Sequence, residues 1–276
     1  MKKTLRFIFS IVAIALLASP LQVQAEQLRF HKIFGSNMVL QRDKPIKVWG
    51  WAKPGSKVTV TIDKESAEAS AAAAAPVNVF GYEEAYKGLG KWEVSFPARE
   101  ASTDPITLAA ISEGEKITLD NVLLGDVWVM SGQSNMAFPV GKTDAKDLLP
   151  RANMPLLRFF AIQGNEQASL QDDIRPETID TVSKSWDVSS PETAANFSAI
   201  GYVFAADVQR ALGIPIGVIK NARGGASIES MVPVQKFDDH PLSKRYADHV
   251  RKRMAEFNPE AEADLIWNNQ KARAKS

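Results

Sequence analysis

The chain has 276 residues, of which 33 are basic and 32 acidic, and this length suits one large domain or two moderate ones. Its formal net charge of +1 at pH 7 gives no indication of nucleic acid or a membrane surface as partner. The absence of cysteine excludes disulfides, thiolate metal sites and a cysteine nucleophile.

Residues 1–25 have the pattern of a secretory signal peptide. A basic start is followed by an apolar run, residues 7–17, and residues 23–25 offer small side chains for cleavage. The apolar run is roughly 11 residues long, whereas about 20 are needed to span a bilayer. Cleavage would remove the three basic residues of this segment and leave 30 basic against 32 acidic ones. We therefore predict a secreted or periplasmic protein with no membrane attachment after cleavage.

Residues 26–124 are predicted to form a β-rich, sandwich-like domain. Short segments in which apolar residues alternate, rich in Val, Thr and Trp, are typical of β-strands. The clearest segments are residues 47–51, 57–62, 92–96 and 106–108. Residues 65–76 include five consecutive alanines from Ala71 and carry no apolar stripe that could pack. We expect them to form an exposed insertion or a frayed helix.

Residues 125–276 are predicted to form an α/β domain. Apolar segments typical of strands in a buried parallel sheet lie at residues 126–131, 156–162 and 214–219. Apolar residues at helical spacing between Ile200 and Leu212 predict a helix that ends at Gly213. Strand, helix and strand in this order predict a right-handed crossover. From Pro241 onward the chain is charged and helix-prone.

A candidate nucleophile, Ser134, follows the first of these strands within Gly132-Gln133-Ser134-Asn135. Sites in open α/β sheets form beyond the carboxyl ends of the strands. A helix that begins just after Ser134 would add N-terminal amides that stabilise a developing oxyanion. Alternatively, Ser134 only caps that helix and Gly132 serves a tight turn.

A second glycine-rich turn, residues 220–229, follows the strand at 214–219. Gly224 and Gly225 would let the backbone approach a ligand closely and present an unobstructed N–H group. An ordinary turn between a strand and a helix is the alternative. Because both turns follow strands of one parallel sheet, we expect them to lie at the same edge and to share a cleft.

Four groups of residues resemble the sialate O-acetylesterase family in the order in which that family has them. They are residues 37–42 with 48–55, residues 125–136, residues 201–204 with 213–219, and Gly224-Gly225. The resemblance covers about residues 28–232 and implies that residues 125–276 form part of an SGNH-type three-layer α/β/α domain.

By this resemblance the chain is a serine esterase that removes O-acetyl groups from sialic acid or a related acetylated glycan, without a cofactor or metal. Ser134 would be the nucleophile, and its backbone N–H and that of Gly225 would form part of the oxyanion hole. Gln133 and Asn135 would orient the nucleophile loop or bind the sugar. We expect Asn221 to be structural.

The sequence departs from the family in lacking a recognisable general base. The family has an Asp-x-x-His block and a Gly-Glu-x-Asn block later in a longer chain, and neither is present here. The histidines of this sequence are His31, His240 and His249. None lies in an Asp-x-x-His arrangement, and we expect His240 and His249 to be surface residues. The chain is therefore predicted to be an incomplete form of the family's catalytic domain.

Two functions remain open at this point. The chain is an esterase, completed by a separate chain or a homo-oligomer, or a catalytically inactive truncated homologue that binds carbohydrate. An incomplete parallel sheet would expose an apolar edge, which favours aggregation or a partner chain. We expect four tryptophans to lie in the core rather than to stack on sugars, namely Trp49, Trp51, Trp92 and Trp128.

Overall fold

The computed structural model describes residues 27–79, 81–162, 170–174, 185–232, 234–258, 261 and 267–268. The predicted signal peptide, residues 1–25, lies outside the described residues. The strands are β1 (Arg29–Phe30), β2 (Val39–Gln41), β3 (Ile46–Ala52), β4 (Lys57–Ile62), β5 (Glu65–Ser70), β6 (Gly90–Phe96), β7 (Ser102–Ser112), β8 (Glu115–Gly132), β9 (Met154–Ala161), β10 (Asp187–Ser189) and β11 (Ile216–Ala222). The α-helices are α1 (Glu83–Tyr86), α2 (Ser134–Ala137), α3 (Pro191–Ala195), α4 (Ala199–Leu212) and α5 (Pro241–Glu256). Short 3₁₀ helices lie at Val140–Lys142, Asp144–Arg151, Ile228–Met231 and Val234–Asp239.

The N-terminal part is rich in antiparallel strands, as the alternating pattern predicted. Strands β1, β3 and β6 form one sheet, while β4, β5 and β7 continue a larger sheet that also contains β8. Within β4, the side chains of Val58, Val60 and Ile62 are completely buried and the residues between them are not. This period of two places one face of the strand in the larger apolar core of the molecule.

Strand β5 corrects the sequence prediction for residues 65–76, which was wrong for its first half. Residues 65–70 pair antiparallel with β4, with Glu68 opposite Thr59. Ala67 and Ala69 face the core, whereas the exposed Glu68 forms an ion pair with Lys57 at 2.8 Å. Alanine is small and only weakly apolar, so its alternation with polar residues gives a faint strand signal.

The long strand β8 joins the two parts of the fold. Its first half pairs antiparallel with β7, residues 123–125 pair parallel with β2, and residues 126–132 pair parallel with β11. The expected domain boundary between residues 124 and 125 therefore falls inside a continuous strand. Arg42 fixes this point through its Nε atom, which donates to the Asp126 carboxylate at 2.8 Å.

The C-terminal part contains the parallel layer that the sequence predicted, with β9 and β8 on either side of β11. Helix α4 lies between β9 and β11 in the chain and ends at Gly213, which adopts a left-handed φ of 68°. Its buried residues share a second apolar core with the strands, and this core includes Leu157, Tyr202, Ala205, Ala206, Ile216 and Val218. Phe160 and Trp186 belong instead to the larger core. The predicted class, α/β with a β-rich N-terminal part and a parallel sheet, is confirmed.

Helix α5 begins at Pro241 and ends at Glu256, within the segment predicted to be charged and helix-prone. Among the helices in the described part of the chain, none has the length and apolar character needed to cross a membrane.

Candidate functional site

The ends of β8 and β11 bring the two glycine-rich turns together. Ser131 lies opposite Asn221 in the parallel register, and Gly132 lies opposite Ala222. One residue later, the Arg223 N–H group donates to the Gly132 carbonyl oxygen at 2.9 Å. The expectation that both turns lie at one edge of the sheet is therefore confirmed.

Ser134 is exposed and is the first residue of α2. The N-cap position belongs to Gln133, and no side chain caps this helix. The alternative, in which Ser134 only caps the helix, is therefore wrong. Within the described residues the Ser134 hydroxyl has no hydrogen-bond partner, so it is available to a ligand.

The second turn faces Ser134 with glycine. A β-carbon added to Gly224 would lie 3.9 Å from the Cβ atom of Ser134. Gly225 has a φ of +77°, which favours glycine, and the space where its side chain would stand is open. The sequence indicated the glycine pair, but only the structure shows that Gly224 is the member beside the Ser134 side chain.

Three polar residues of the two turns are exposed. Gln133 and Asn135 flank Ser134, and both are solvent-accessible. Asn221, expected to be structural, is also exposed at the end of β11. Each of these three side chains can both donate and accept hydrogen bonds.

The turn that carries Ser134 packs against the start of α4. This contact was not predicted from the sequence. Ser198 is completely buried, accepts a hydrogen bond from the Gly201 N–H group at 3.0 Å and so caps α4. Its hydroxyl also donates to the Met136 sulfur of α2 at 3.7 Å. A serine just before an apolar helical run is a recognisable cap signal, but its contact with Met136 depends on the tertiary fold.

Lys220 is a partly buried cation on β11, close to the second turn in sequence. Its Nζ atom lies 5.9 Å from the centre of the Phe197 ring. Burial lowers the pKa of the Lys220 ammonium, because desolvation disfavours its charged form. No motif or spacing in the sequence singles out this residue.

The histidines do not supply a base to Ser134 in the described part of the chain. His31 is held in the β-rich part, where its Nε2 atom lies 3.3 Å from the Asp173 carboxylate and its Nδ1 atom accepts the Ile33 N–H. His240 caps α5 and His249 is exposed on that helix, so both are surface residues as predicted. Among the described residues no cluster of side chains could hold a metal ion.

Three of the four tryptophans expected in the core are partly or fully buried, namely Trp49, Trp51 and Trp92. The expectation was wrong for Trp128, whose side chain is 43% exposed and packs edge-on against Phe204 of α4. The reason is that the part of β8 containing Trp128 pairs only with β11 in the described structure.

Comparison with known proteins places this site in context. Residues 124–269 match the family model described as carbohydrate esterase, sialic acid-specific acetylesterase. Sialate O-acetylesterase of Homo sapiens is 26% identical over 214 residues, which are 73% of this chain and 38% of that protein. The Mus musculus sialate O-acetylesterase is 28% identical over 216 residues, which are 73% of this chain and 37% of that protein.

A similar solved structure is that of a novel carbohydrate acetylesterase from Xanthomonas citri. It superimposes with a TM-score of 0.64 and 29% sequence identity, covering 77% of this chain and 44% of that one. The chain thus spans less than half the length of each of these relatives.

Proposed function

Because the chain belongs to the family of sialic acid-specific carbohydrate acetylesterases, we propose that it acts on O-acetyl groups of sialic acid or a related acetylated glycan through Ser134. The Ser134 Oγ atom attacks the acetyl carbonyl carbon, the bond from that carbon to the sugar oxygen breaks, and an acetyl-serine remains. The proton lost by the serine goes to the sugar oxygen, which leaves as a hydroxyl group. Water then attacks this ester, which releases acetate and restores the serine. Acetylated sialic acid is the proposed partner, and the proposal includes neither nucleic acid nor a cofactor.

The observation that carries this proposal is that Ser134 and the glycine pair follow two adjacent parallel strands, with Gly224 beside the Ser134 side chain. The developing negative charge on the acetyl oxygen needs N–H donors close to the nucleophile. We assign this role to the backbone N–H groups of Ser134 and Gly225. The Ser134 hydroxyl is exposed, has no hydrogen-bond partner among the described residues and lies beside Gly224, which leaves room for an acetyl group.

The general base comes, in this proposal, from outside the described residues. The three histidines of the sequence lie at His31, His240 and His249, and none bonds to Ser134. A serine hydroxyl is a weak nucleophile without an adjacent base. We therefore expect the chain alone to react slowly with a sugar acetate, whose leaving alcohol needs a proton.

An activated ester tests the nucleophile separately from the base. The nitrophenolate of 4-nitrophenyl acetate leaves without a proton, so acetylation of Ser134 requires only that the serine proton pass to solvent water or buffer. Deacetylation still needs an activated water, and we expect a burst of nitrophenol followed by slow turnover. The burst is measured by stopped-flow absorbance. It should vanish in Ser134→Ala and persist in Ser227→Ala, which alters another exposed serine in the second turn.

A burst that survives in Ser134→Ala would overturn the proposed nucleophile. The lack of a described base also favours a second candidate, a catalytically inactive carbohydrate-binding protein. That function predicts no burst, together with binding of an O-acetylated sialoside measured by titration calorimetry.

We also propose that the protein is exported, on the basis of the basic start, the short apolar run and the small residues before Glu26. A secreted or periplasmic location would give it access to glycans outside the cytoplasm.

A further inference from the structure

Lys220 is a partly buried cation without an anionic partner in the described part of the chain. Its Nζ atom lies 5.9 Å from the centre of the Phe197 ring. Within the described structure the ammonium group has neither a hydrogen bond nor an ion pair. The face of a ring attracts a cation but carries no formal negative charge. Because an ammonium group has three N–H donors, Lys220 is able to bind an anionic ligand.

Lys220 lies at the same end of the parallel sheet as the turn that carries Ser134. It stands opposite Met130 of β8, two residues before that strand ends at Gly132. Two residues of a parallel strand rise about 7 Å, so the Lys220 backbone lies about that far along the sheet from the Ser134 turn.

The contacts of Phe197 place Lys220 on the face of the sheet that α2 covers. Phe197 and Met130 belong to the second apolar core, and Met136 of α2 packs against the same core. The residue after Phe197, Ser198, donates its hydroxyl to the Met136 sulfur at 3.7 Å. Since Ser134 is the first residue of α2, Lys220 and the candidate nucleophile lie on one face of the sheet.

The residues around the glycine pair add to the positive charge of Lys220. Arg223 precedes the pair and is exposed. The acidic residue of the second turn, Glu229, follows the pair in the 3₁₀ helix Ile228–Met231. The segment from Lys220 to Gly225 therefore carries two positive charges and no negative one. Such a local excess of positive charge favours an anionic ligand over a neutral one.

We propose that Lys220 is a specificity-determining residue that binds the carboxylate of an acetylated sugar acid while Ser134 attacks the acetyl group of the same molecule. On the basis of the proposed function, this narrows the substrates to acetylated sugars that carry a carboxylate. Sialic acid has its carboxylate and its hydroxyl groups on different carbons of one chain, so one molecule presents both groups. The ammonium group donates a charge-assisted hydrogen bond to the carboxylate.

The first test measures binding rather than turnover. The ligand is sialic acid, which is the product of the proposed reaction, and the comparison ligand is its methyl ester, which lacks the negative charge. By titration calorimetry we expect the protein to bind the acid at least about tenfold more tightly, since the ester loses a charge-assisted hydrogen bond. Equal affinities, or no binding of either ligand, would overturn the proposal.

A pair of methionine variants assigns the preference to Lys220. Lys220→Met keeps an unbranched side chain without the charge, and we expect it to bind the acid and the ester equally. Lys142→Met is the matched control, because Lys142 is an exposed cation in the 3₁₀ helix Val140–Lys142. It should keep the full preference for the acid. Loss of the preference in both variants would attribute it to overall charge and would overturn the proposal.

Chemical labelling of the unaltered protein does not depend on the folding of a variant. Acetic anhydride acetylates solvent-accessible, unprotonated amines, and peptide mass spectrometry measures the extent at each lysine. With sialic acid at about ten times its dissociation constant, labelling of Lys220 should slow about tenfold, whereas labelling of Lys142 should not change. An unchanged rate at Lys220, or no labelling of it with or without ligand, would overturn the proposal.

Neither test requires Ser134 to react, so failure of this proposal is distinguishable from failure of the proposed esterase function. If Ser134 is not a nucleophile, the nitrophenol burst is absent, and 4-nitrophenyl acetate carries no carboxylate. If Lys220 does not bind a carboxylate, sialic acid and its methyl ester bind equally.

Discussion

Ser134 is exposed, and Gly224, which has no side chain, lies beside it. A β-carbon on Gly224 would make ordinary contact with the Ser134 Cβ atom at 3.9 Å, and we expect a longer side chain there to reduce the space beside Ser134. The sequence pattern placed both turns at one sheet edge through a general rule for parallel strands. The sequence pattern could not predict the distance between Gly224 and Ser134, because that distance depends on the register between β8 and β11.

Gly224 therefore offers a graded test of access to Ser134. We expect Gly224→Ala to keep the nitrophenol burst, and Gly224→Leu to slow it by about tenfold or more through exclusion of the acetyl group. Circular dichroism should show that both variants are folded. A burst of normal rate in Gly224→Leu would mean that the acetyl group does not occupy this space.

His31 makes stability depend on pH. Burial lowers its pKa below the ordinary value, and this outweighs the opposing effect of the Asp173 carboxylate. The unfolded chain therefore binds more protons than the folded one between the two pKa values. We expect the free energy of unfolding to fall as the pH is lowered from about 6.5 through the folded-state pKa of His31.

Urea denaturation of the wild type and His31→Gln across this range measures the effect. The variant lacks the titrating group, so its stability should change less with pH over the same window. Identical pH profiles would show that His31 is not desolvated as described.

Helices and strands were predictable where apolar and polar residues differ clearly in their spacing along the chain. Strands rich in Val, Ile and Thr, such as β4, and the helix ended by Gly213 were predictable from spacing alone. Strand β5 was not, because alanine alternating with glutamate and serine gives little apolar contrast. The exposure of Trp128 was missed because its strand pattern is that of a buried strand, whereas burial also needs a neighbour on each side.

Ser198 links helix α4 to the turn that carries Ser134, and this link can be separated from simple capping. Ser190 caps α3 by accepting the Thr193 N–H group at 3.2 Å, and in the described structure it has no hydrogen bond to α2. We expect Ser198→Ala and Ser190→Ala each to lower the free energy of unfolding by about 1 kcal/mol. Only Ser198→Ala should also slow the nitrophenol burst, because it alone loses the contact with Met136.

Denaturation and stopped-flow measurements on the two variants provide the comparison. Equal burst rates would argue against a role for Ser198 in positioning the turn.

At the scale of the whole molecule, β8 makes the β-rich part and the parallel layer continuous. The same strand contributes to the first part through β7 and ends at the candidate site. The general class was predictable because the pattern of apolar residues changes near residue 125, from short alternating segments to continuous apolar segments and helical spacing. The continuity was not, since no residue type marks a strand that passes from one neighbour to another.

Export is a property of the whole chain and is tested on protein from its native host. We expect the mature protein to begin at Glu26, because the signal peptide would be removed after Ala25. N-terminal sequencing of the extracellular or periplasmic fraction measures this directly. Recovery of the unprocessed chain from the cytoplasm alone would contradict the proposal.

If Ser134 is the nucleophile of an acetylesterase, peptide mass spectrometry after brief exposure to 4-nitrophenyl acetate should find the acetyl group on it. None of the histidines lies where it could activate water for deacetylation, so the acetyl-serine should accumulate. We expect an acetyl group on Ser134 and none on Ser227, with the label absent from the corresponding peptide of Ser134→Ala. An unlabelled Ser134 in a chain that still releases a burst of nitrophenol would contradict the account.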